Sequence, residues 1–161
     1  MLDTLIERIH AAHETGSPLI IQGGGSKSFY GNADEGEVLS TRALTGVIDY
    51  QPKELVLTAR AGTPLAEIEA LLAEQNQMLA FEPPHFGEFP LPGRPATAQA
   101  AATPIQATLG GSIAAGLSGP RRPYAGAARD FVLGVRIIDG TGQPLRFGGQ
   151  VIKNVAGYDV S

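Results

Sequence analysis

The chain has 161 residues and a formal net charge of −4, which is long enough for one domain with a single core. The acidic balance gives no indication of a general nucleic-acid surface, and the absence of cysteine excludes a disulfide framework, a thiolate metal site and a cysteine nucleophile. No window reaches the roughly 18 apolar residues of a membrane span, and the N-terminus lacks the pattern of a signal peptide. We therefore predict a soluble, cytoplasmic protein.

The chain begins with helix and strand patterns in alternation. Apolar residues from Leu2 to Ala12 recur at helical spacing, and Gly16 is placed to end that helix. Leu19 to Ile21 predicts a short buried strand that runs directly into three glycines. Two more strand-like runs follow, "GVIDYQP" and "ELVLTARAG".

A second helix is predicted after these strands. Thr63 is a suitable N-cap, Pro64 suits the first helical position, and the apolar spacing continues to about Asn76. The run "MLAFEPP" predicts a further strand, stopped by Pro83 and Pro84. This order of elements indicates an α+β unit.

The second half of the chain opens with a biased segment. Residues 87–107 are rich in proline and alanine without a period, which predicts a loop or linker insertion. A glycine-dense segment follows, and then "FVLGVRIIDGTGQPLRF", which predicts two strands joined around Asp139 to Gly142. Because the sequence stops at "KNVAGYDVS" without a closing element, we expect the fold to be incomplete at its C-terminus.

The glycine triplet after the first strand does not match the two familiar nucleotide motifs. A Walker A loop needs glycine directly before Lys-Ser, where this chain has Ser26, and the dinucleotide fingerprint needs glycine at the position of Ser28. The triplet is therefore either a tight turn or a loop whose N–H groups bind an anion. A second cluster, at Gly110-Gly111 and Gly116 to Gly119, favours the anion, because two such segments can hold one extended diphosphate from opposite sides.

These motifs carry a resemblance to a known family. The stretch "GGGSKSFYG", followed in order by "TLGG", "RDFVLG" and "KNVAGYD", resembles the FAD-binding domain of the vanillyl-alcohol oxidase / p-cresol methylhydroxylase (PCMH) flavoproteins. The resemblance implies a PCMH-type fold of two small α/β subdomains with FAD between them. It places the first subdomain at residues 1–86, the insertion at 87–107 and the start of the second subdomain at 108–161, with no cap domain in the chain.

The resemblance also implies which residues contact FAD. The first glycine loop is expected to wrap the diphosphate. The "TLGG" segment is expected to lie along the diphosphate and flavin, and the "RDFVLG" stretch to approach the adenosine. The residues implicated are Gly23, Gly24, Gly25, Ser26, Lys27, Ser28, Thr108, Leu109, Gly110, Gly111, Ser112, Ala114, Gly116, Ser118, Gly119, Arg129, Asp130 and Val132. Noncovalent FAD is expected, because the loop carries Ser26 and Lys27 where covalent members often have histidine. For Gly148-Gly149 and residues 153–159, FAD contact and turn geometry both stay open.

Within the family, the sequence is most similar to FAD-binding subunits of bacterial glycolate oxidases. That likeness implies a FAD-dependent oxidoreductase of 2-hydroxy acids that oxidises glycolate to glyoxylate, with a catalytic flavin subunit and an iron–sulfur subunit as partners. It also implies a cytoplasmic location, or a peripheral one at the inner membrane through those partners. Two alternatives stay open: a structural subunit without flavin, and a related oxidoreductase for D-lactate or another hydroxy acid.

Other polar residues give weaker indications. We identify no catalytic residue and no metal site, and we interpret His10 and His13 as solvent-exposed helix residues. His85 follows the proline pair in a region where it is able to approach a flavin. Arg121 and Arg122 suit either a bound carboxylate or phosphate, or a solvated basic pair.

Overall fold

The computed structural model describes residues 1–30, 35–86 and 105–149. Within these ranges the chain mixes helices with short strands, which confirms the predicted α+β class. The helices are α1 (Leu2–Thr15), α2 (Leu65–Ala73), α3 (Leu109–Ala115) and α4 (Arg122–Ala125), with a 3₁₀ helix at Ala128–Phe131. The strands are β1 (Leu19–Gln22), β2 (Glu37–Ser40), β3 (Val47–Gln51), β4 (Val56–Ala59), β5 (Gly134–Ile138) and β6 (Pro144–Gly148). None of the described helices is long and apolar enough to cross a membrane.

The strands pair two by two. β1 and β2 are parallel, with Leu19 opposite Glu37, whereas β3 with β4 and β5 with β6 form antiparallel pairs. The β5–β6 pair confirms the two strands predicted around the turn at Asp139 to Gly142. Strand β2 was not predicted, because only Leu39 of its four residues is buried and the apolar pattern is correspondingly weak.

The predicted start of α2 is wrong by one residue. Pro64 is the N-cap, and Thr63 lies before the helix with its side chain fully buried. The Thr63 hydroxyl instead accepts a hydrogen bond of 2.9 Å from the Gly46 N–H. A buried hydroxyl needs a partner, and here the partner lies in the turn before β3 rather than in the helix.

The strand predicted at "MLAFEPP" is absent from the structure. Residues 77–86 form turns and irregular backbone, and Glu82 and Phe86 have φ angles of 47° and 53°. These left-handed angles are incompatible with an extended strand. The segment is held by a tertiary contact instead, since the Gly119 N–H donates to the Phe81 carbonyl at 2.8 Å.

The core is centred on α2. Leu65 and Ile68 have no exposed surface, and Leu72 and Phe81 are also buried. The Leu65 N–H donates to the Ala107 carbonyl at 2.9 Å, so the chain that leads into α3 runs beside the start of α2. This contact positions the segment around Thr108, which forms one side of the site described next.

Candidate functional site

The first glycine segment, residues 23–27, is called the glycine loop. It leaves β1 and packs directly on the chain before α3. The Gln106 N–H donates to the Gly24 carbonyl at 3.3 Å, and a Cβ atom built at Gly24 would overlap the Gln106 carbonyl oxygen. At Gly23 such an atom would lie 2.6 Å from Thr108 Oγ1. The glycine loop therefore packs on residues 106–108, directly before the second glycine cluster, and this contact requires glycine at positions 23 and 24.

The start of α3 uses its N–H groups within the protein. The Leu109 N–H donates to the Thr63 carbonyl at 2.9 Å, and the Gly110 N–H donates to the Ala61 carbonyl at 2.8 Å. Thr108 is the N-cap and accepts a hydrogen bond of 3.4 Å from the Gly111 N–H. Since these donors have partners, the main-chain donors available to an anion lie mainly in the glycine loop.

The glycine loop has N–H groups that are available for a ligand. Among the described residues, the N–H groups of Gly24, Gly25 and Lys27 have no hydrogen-bond acceptor. Gly25 has a φ angle of 77°, and a left-handed residue within a turn lets successive N–H groups converge on one point. Gly24 is buried, and a buried amide without a partner is costly. The arrangement therefore suits an anion that accepts hydrogen bonds from the loop.

Lys27 connects the loop to α3. Its Nζ atom lies 3.4 Å from Oγ of the fully buried Ser112 and 5.9 Å from the centroid of the Phe86 ring. Partial burial lowers the pKa of Lys27, because removal from water disfavours the charged form. In the described ranges, no carboxylate lies within 4.0 Å of this ammonium group. A bound anion would supply the missing counter-charge.

Arg42 is a further residue at the loop that the sequence did not indicate. Its Nε donates to the Gly23 carbonyl at 3.2 Å, and one terminal nitrogen donates to the Gly24 carbonyl at 2.6 Å. Arg42 follows the unpredicted strand β2, and the Thr41 N–H donates to the Gln22 carbonyl at 2.9 Å. The parallel pairing of β1 with β2 thus brings Arg42 to the loop, a placement that local sequence patterns do not reveal.

Several other predicted site residues lie beyond α3. Gly116 ends the helix with a φ angle of 61°, and the Ser118 hydroxyl accepts a hydrogen bond of 2.9 Å from the Ala128 N–H. The Asp130 carboxylate accepts one of 2.7 Å from the Ala127 N–H and lies 3.9 Å from Arg129 Nε. These contacts organise the segment itself. Others on the predicted surface are Ser28, Ala114, Gly119 and Val132, of which Ser28 and Ala114 are exposed.

Other candidate residues have partners within the protein. His85 Nε2 lies 3.0 Å from a carboxylate oxygen of Glu69 on α2, and the Arg121 N–H donates to the Glu82 carboxylate at 3.0 Å. Gly148 pairs with Gly134 across β5 and β6, which explains it by strand geometry. Residues 153–159 lie outside the described residues.

Comparisons with known proteins identify the family of the chain. A family described as "FAD binding domain" matches residues 2–102 and 96–148. Over 157 residues the chain is 50% identical to the glycolate oxidase subunit GlcE of Escherichia coli K12, which covers 98% of this chain and 40% of that protein. Over 143 residues it is 27% identical to a D-2-hydroxyglutarate dehydrogenase of Xanthomonas citri, with coverages of 87% and 26%. The chain thus spans less than half the length of these relatives.

Solved structures show the same fold. The chain is similar to Phl p 4.0202, a glucose dehydrogenase, with a TM-score of 0.66 and 16% identity over 91% of this chain and 27% of that one. It is also similar to alkyldihydroxyacetonephosphate synthase, with a TM-score of 0.59 and 20% identity over 91% and 25% of the two chains. The predicted PCMH-type fold and the predicted FAD cofactor are confirmed. The chain therefore belongs to the FAD-binding domain family of flavoproteins.

Proposed function

We propose that this chain is the FAD-binding part of a subunit of a glycolate-oxidising complex. The substrate assignment is supported by the 50% identity to the E. coli glycolate oxidase subunit over 98% of the chain. The placement of the cofactor is supported by one observation above all. Lys27, a partly buried cation without a carboxylate partner among the described residues, lies beside main-chain N–H groups that have no acceptor there.

The glycine loop would hold the diphosphate of FAD. The N–H groups of Gly24 and Gly25 would donate to phosphate oxygens, and the ammonium group of Lys27 would offset part of their charge. Ser112, fixed in α3 and fully buried, would position Lys27 through the 3.4 Å contact to its hydroxyl. Hydrogen bonds from these groups to the phosphate oxygens would be charge-assisted, and such hydrogen bonds contribute about 1.5–3 kcal/mol each.

The rest of the predicted FAD surface is proposed on the family resemblance. Residues 108–112 would lie along the diphosphate and flavin, and Arg129 to Val132 would approach the adenosine. Residues 1–86 and 108–161 would then belong to two subdomains on either side of the cofactor. FAD supplies the hydride acceptor in such enzymes, and the protein supplies its binding and orientation.

The whole protein is proposed to act with partners. A catalytic flavin subunit and an iron–sulfur subunit would complete the complex, and the electrons taken from glycolate would leave through the iron–sulfur partner. We assign no catalytic residue to this chain, and we infer a cytoplasmic complex or one held peripherally at the inner membrane by its partners.

The test uses the full-length protein, purified alone and with its partner subunits. We expect the protein alone to retain FAD noncovalently, so that denaturation releases free FAD that can be quantified by absorbance. In the complex, glycolate should bleach the flavin under anaerobic conditions faster than D-lactate or D-2-hydroxyglutarate does.

Two outcomes would separate the alternatives. A protein that carries no flavin after incubation with FAD, yet still assembles with its partners, would overturn the cofactor assignment in favour of a structural subunit. A bound flavin that is reduced faster by another hydroxy acid would keep the cofactor assignment and overturn glycolate as the substrate.

A further inference from the structure

We propose that Arg42 is the positioning residue of the glycine loop, and that it turns two peptide groups so that their N–H groups face the diphosphate. The inference rests on the proposed function. It starts from the observation that one guanidinium group donates to two successive carbonyls, those of Gly23 and Gly24, at 3.2 Å and 2.6 Å.

The geometry of the peptide bond links these contacts to the ligand side of the loop. In a trans peptide, the N–H of one residue points opposite to the carbonyl of the residue before it, and no cis peptide occurs among the described residues. Because the Gly23 and Gly24 carbonyls both point toward Arg42, the N–H groups of Gly24 and Gly25 both point away from it. The φ angle of 77° at Gly25 is the left-handed conformation typical of such loops.

An arginine suits this role better than a lysine. The planar guanidinium presents several N–H donors in a fixed arrangement, so it is able to hold two acceptors at a defined angle, whereas an ammonium group acts as a point charge. Arg42 is half-buried and has no ion-pair partner in the described parts of the chain. Its charge would therefore lie on the carbonyl side of the loop, with the two oriented peptide groups between it and the anion.

The backbone that carries Arg42 is closely packed. A Cβ atom built at Gly62 would lie 2.7 Å from the Leu44 carbonyl oxygen and 2.9 Å from the Arg42 carbonyl oxygen. The Leu44 N–H also donates to the Thr41 carbonyl at 3.0 Å. Arg42 thus projects from a fixed turn, as a residue that orients a loop must do.

The test compares Arg42→Lys and Arg42→Met with the wild type in the full-length protein. We expect both substitutions to weaken FAD binding by about 10-fold or more, since the loss of oriented donors removes charge-assisted hydrogen bonds. Arg60→Lys is the matched control, because Arg60 also donates to a main-chain carbonyl, that of Thr45 at 3.1 Å, but outside the glycine loop. That control should leave FAD affinity unchanged.

Two further measurements distinguish orientation from general stability. ADP and adenosine serve as probes with and without a diphosphate, and the Arg42 variants should lose affinity for ADP but not for adenosine. In the wild type, ADP should shift the amide proton resonances of Gly24 and Gly25, and Arg42→Lys should reduce these shifts at a temperature where the variant is still folded.

The outcomes have distinct meanings. Wild-type protein that binds neither FAD nor ADP would overturn the proposed function itself. Wild-type binding with unchanged affinity in both Arg42 variants would overturn only the role of Arg42, and full rescue by Arg42→Lys would reduce that role to charge. If Arg42→Met does not fold, the Arg42→Lys variant and the wild-type amide shifts still decide the question, because unshifted Gly24 and Gly25 amides would contradict the inferred orientation.

Discussion

The two glycine segments that meet at the candidate site look alike in sequence and behave differently in the structure. In the glycine loop, the carbonyls are engaged by Arg42 and Gln106, while N–H groups have no acceptor among the described residues. At the start of α3 the situation is reversed, because the N–H groups of Leu109 and Gly110 donate to main-chain carbonyls. The glycine loop therefore offers hydrogen-bond donors to a ligand, whereas the start of α3 uses its donors to hold the surrounding chain in place.

The glycines themselves are needed for different reasons. A side chain at Gly24 would overlap the carbonyl oxygen of Gln106, and one at Gly110 would lie 2.7 Å from the Ala61 Cβ. At Gly111, by contrast, Thr108 Oγ1 at 3.1 Å is the nearest described atom that a Cβ would meet. Glycine density in a sequence thus indicates close approach, but the structure decides whether the neighbour is another chain segment or a ligand.

The largest expected effect is that of Gly24→Ala, which breaks the contact between the two segments. The added methyl group would force the loop away from Gln106, and we expect the free energy of unfolding to fall by about 2–4 kcal/mol. Urea denaturation of the full-length protein measures this. Gly140→Ala is the control, because a Cβ there meets no atom within 4 Å. Equal stabilities of the two variants would contradict the observed packing.

The comparison also explains which features the sequence predicts. Helix α1 and the β5–β6 pair are predicted because their signals are local, in the apolar spacing of one and in the turn residues of the other. The roles of Thr63 and Arg42 are not predicted, because each depends on a partner distant in sequence. Thr63 accepts a hydrogen bond from Gly46, and Arg42 donates to the glycine loop. The glycine loop itself is predicted from its composition and the family resemblance, whereas the direction of its N–H groups depends on carbonyl contacts with residues distant in sequence.

An intermediate effect is expected for Lys27→Met, which removes a positive charge from the glycine loop, the segment that is proposed to bind the diphosphate. We expect FAD affinity to fall by about 10- to 100-fold, as for the loss of one charge-assisted hydrogen bond. The FAD-free protein should not lose stability, because burial disfavours the charge that is removed. Lys53→Met, at an exposed turn, is the control and should change neither quantity.

The pH dependence gives the same prediction a second readout. Burial makes the pKa of Lys27 lower in the folded protein than in the unfolded chain. Between these two pKa values the unfolded state binds more protons, so the contribution of Lys27 to the free energy of unfolding rises with pH. A bound diphosphate favours the charged form, so FAD affinity should decrease as pH rises through the Lys27 pKa. Isothermal titration calorimetry of FAD binding at several alkaline pH values measures this decrease. If Lys27→Met keeps it, the ammonium group does not hold the anion.

The smallest effect on stability is expected for Gly111→Ala, in the first turn of α3. Alanine is a better helix former by about 0.8–1.0 kcal/mol, but its Cβ would lie 3.1 Å from Thr108 Oγ1 and weaken the hydrogen bond that the Gly111 N–H donates to it. Because these effects oppose each other, we expect the free energy of unfolding to change by less than about 0.5 kcal/mol.

FAD affinity should fall by about 3- to 10-fold in Gly111→Ala, since the face at Gly111 is where the cofactor is proposed to lie. Gly110→Ala is the matched control and should lower stability through its contact with Ala61. Should Gly111→Ala instead lose stability and keep its FAD affinity, the glycine at 111 would serve the packing of the chain, and the cofactor would contact only the glycine loop.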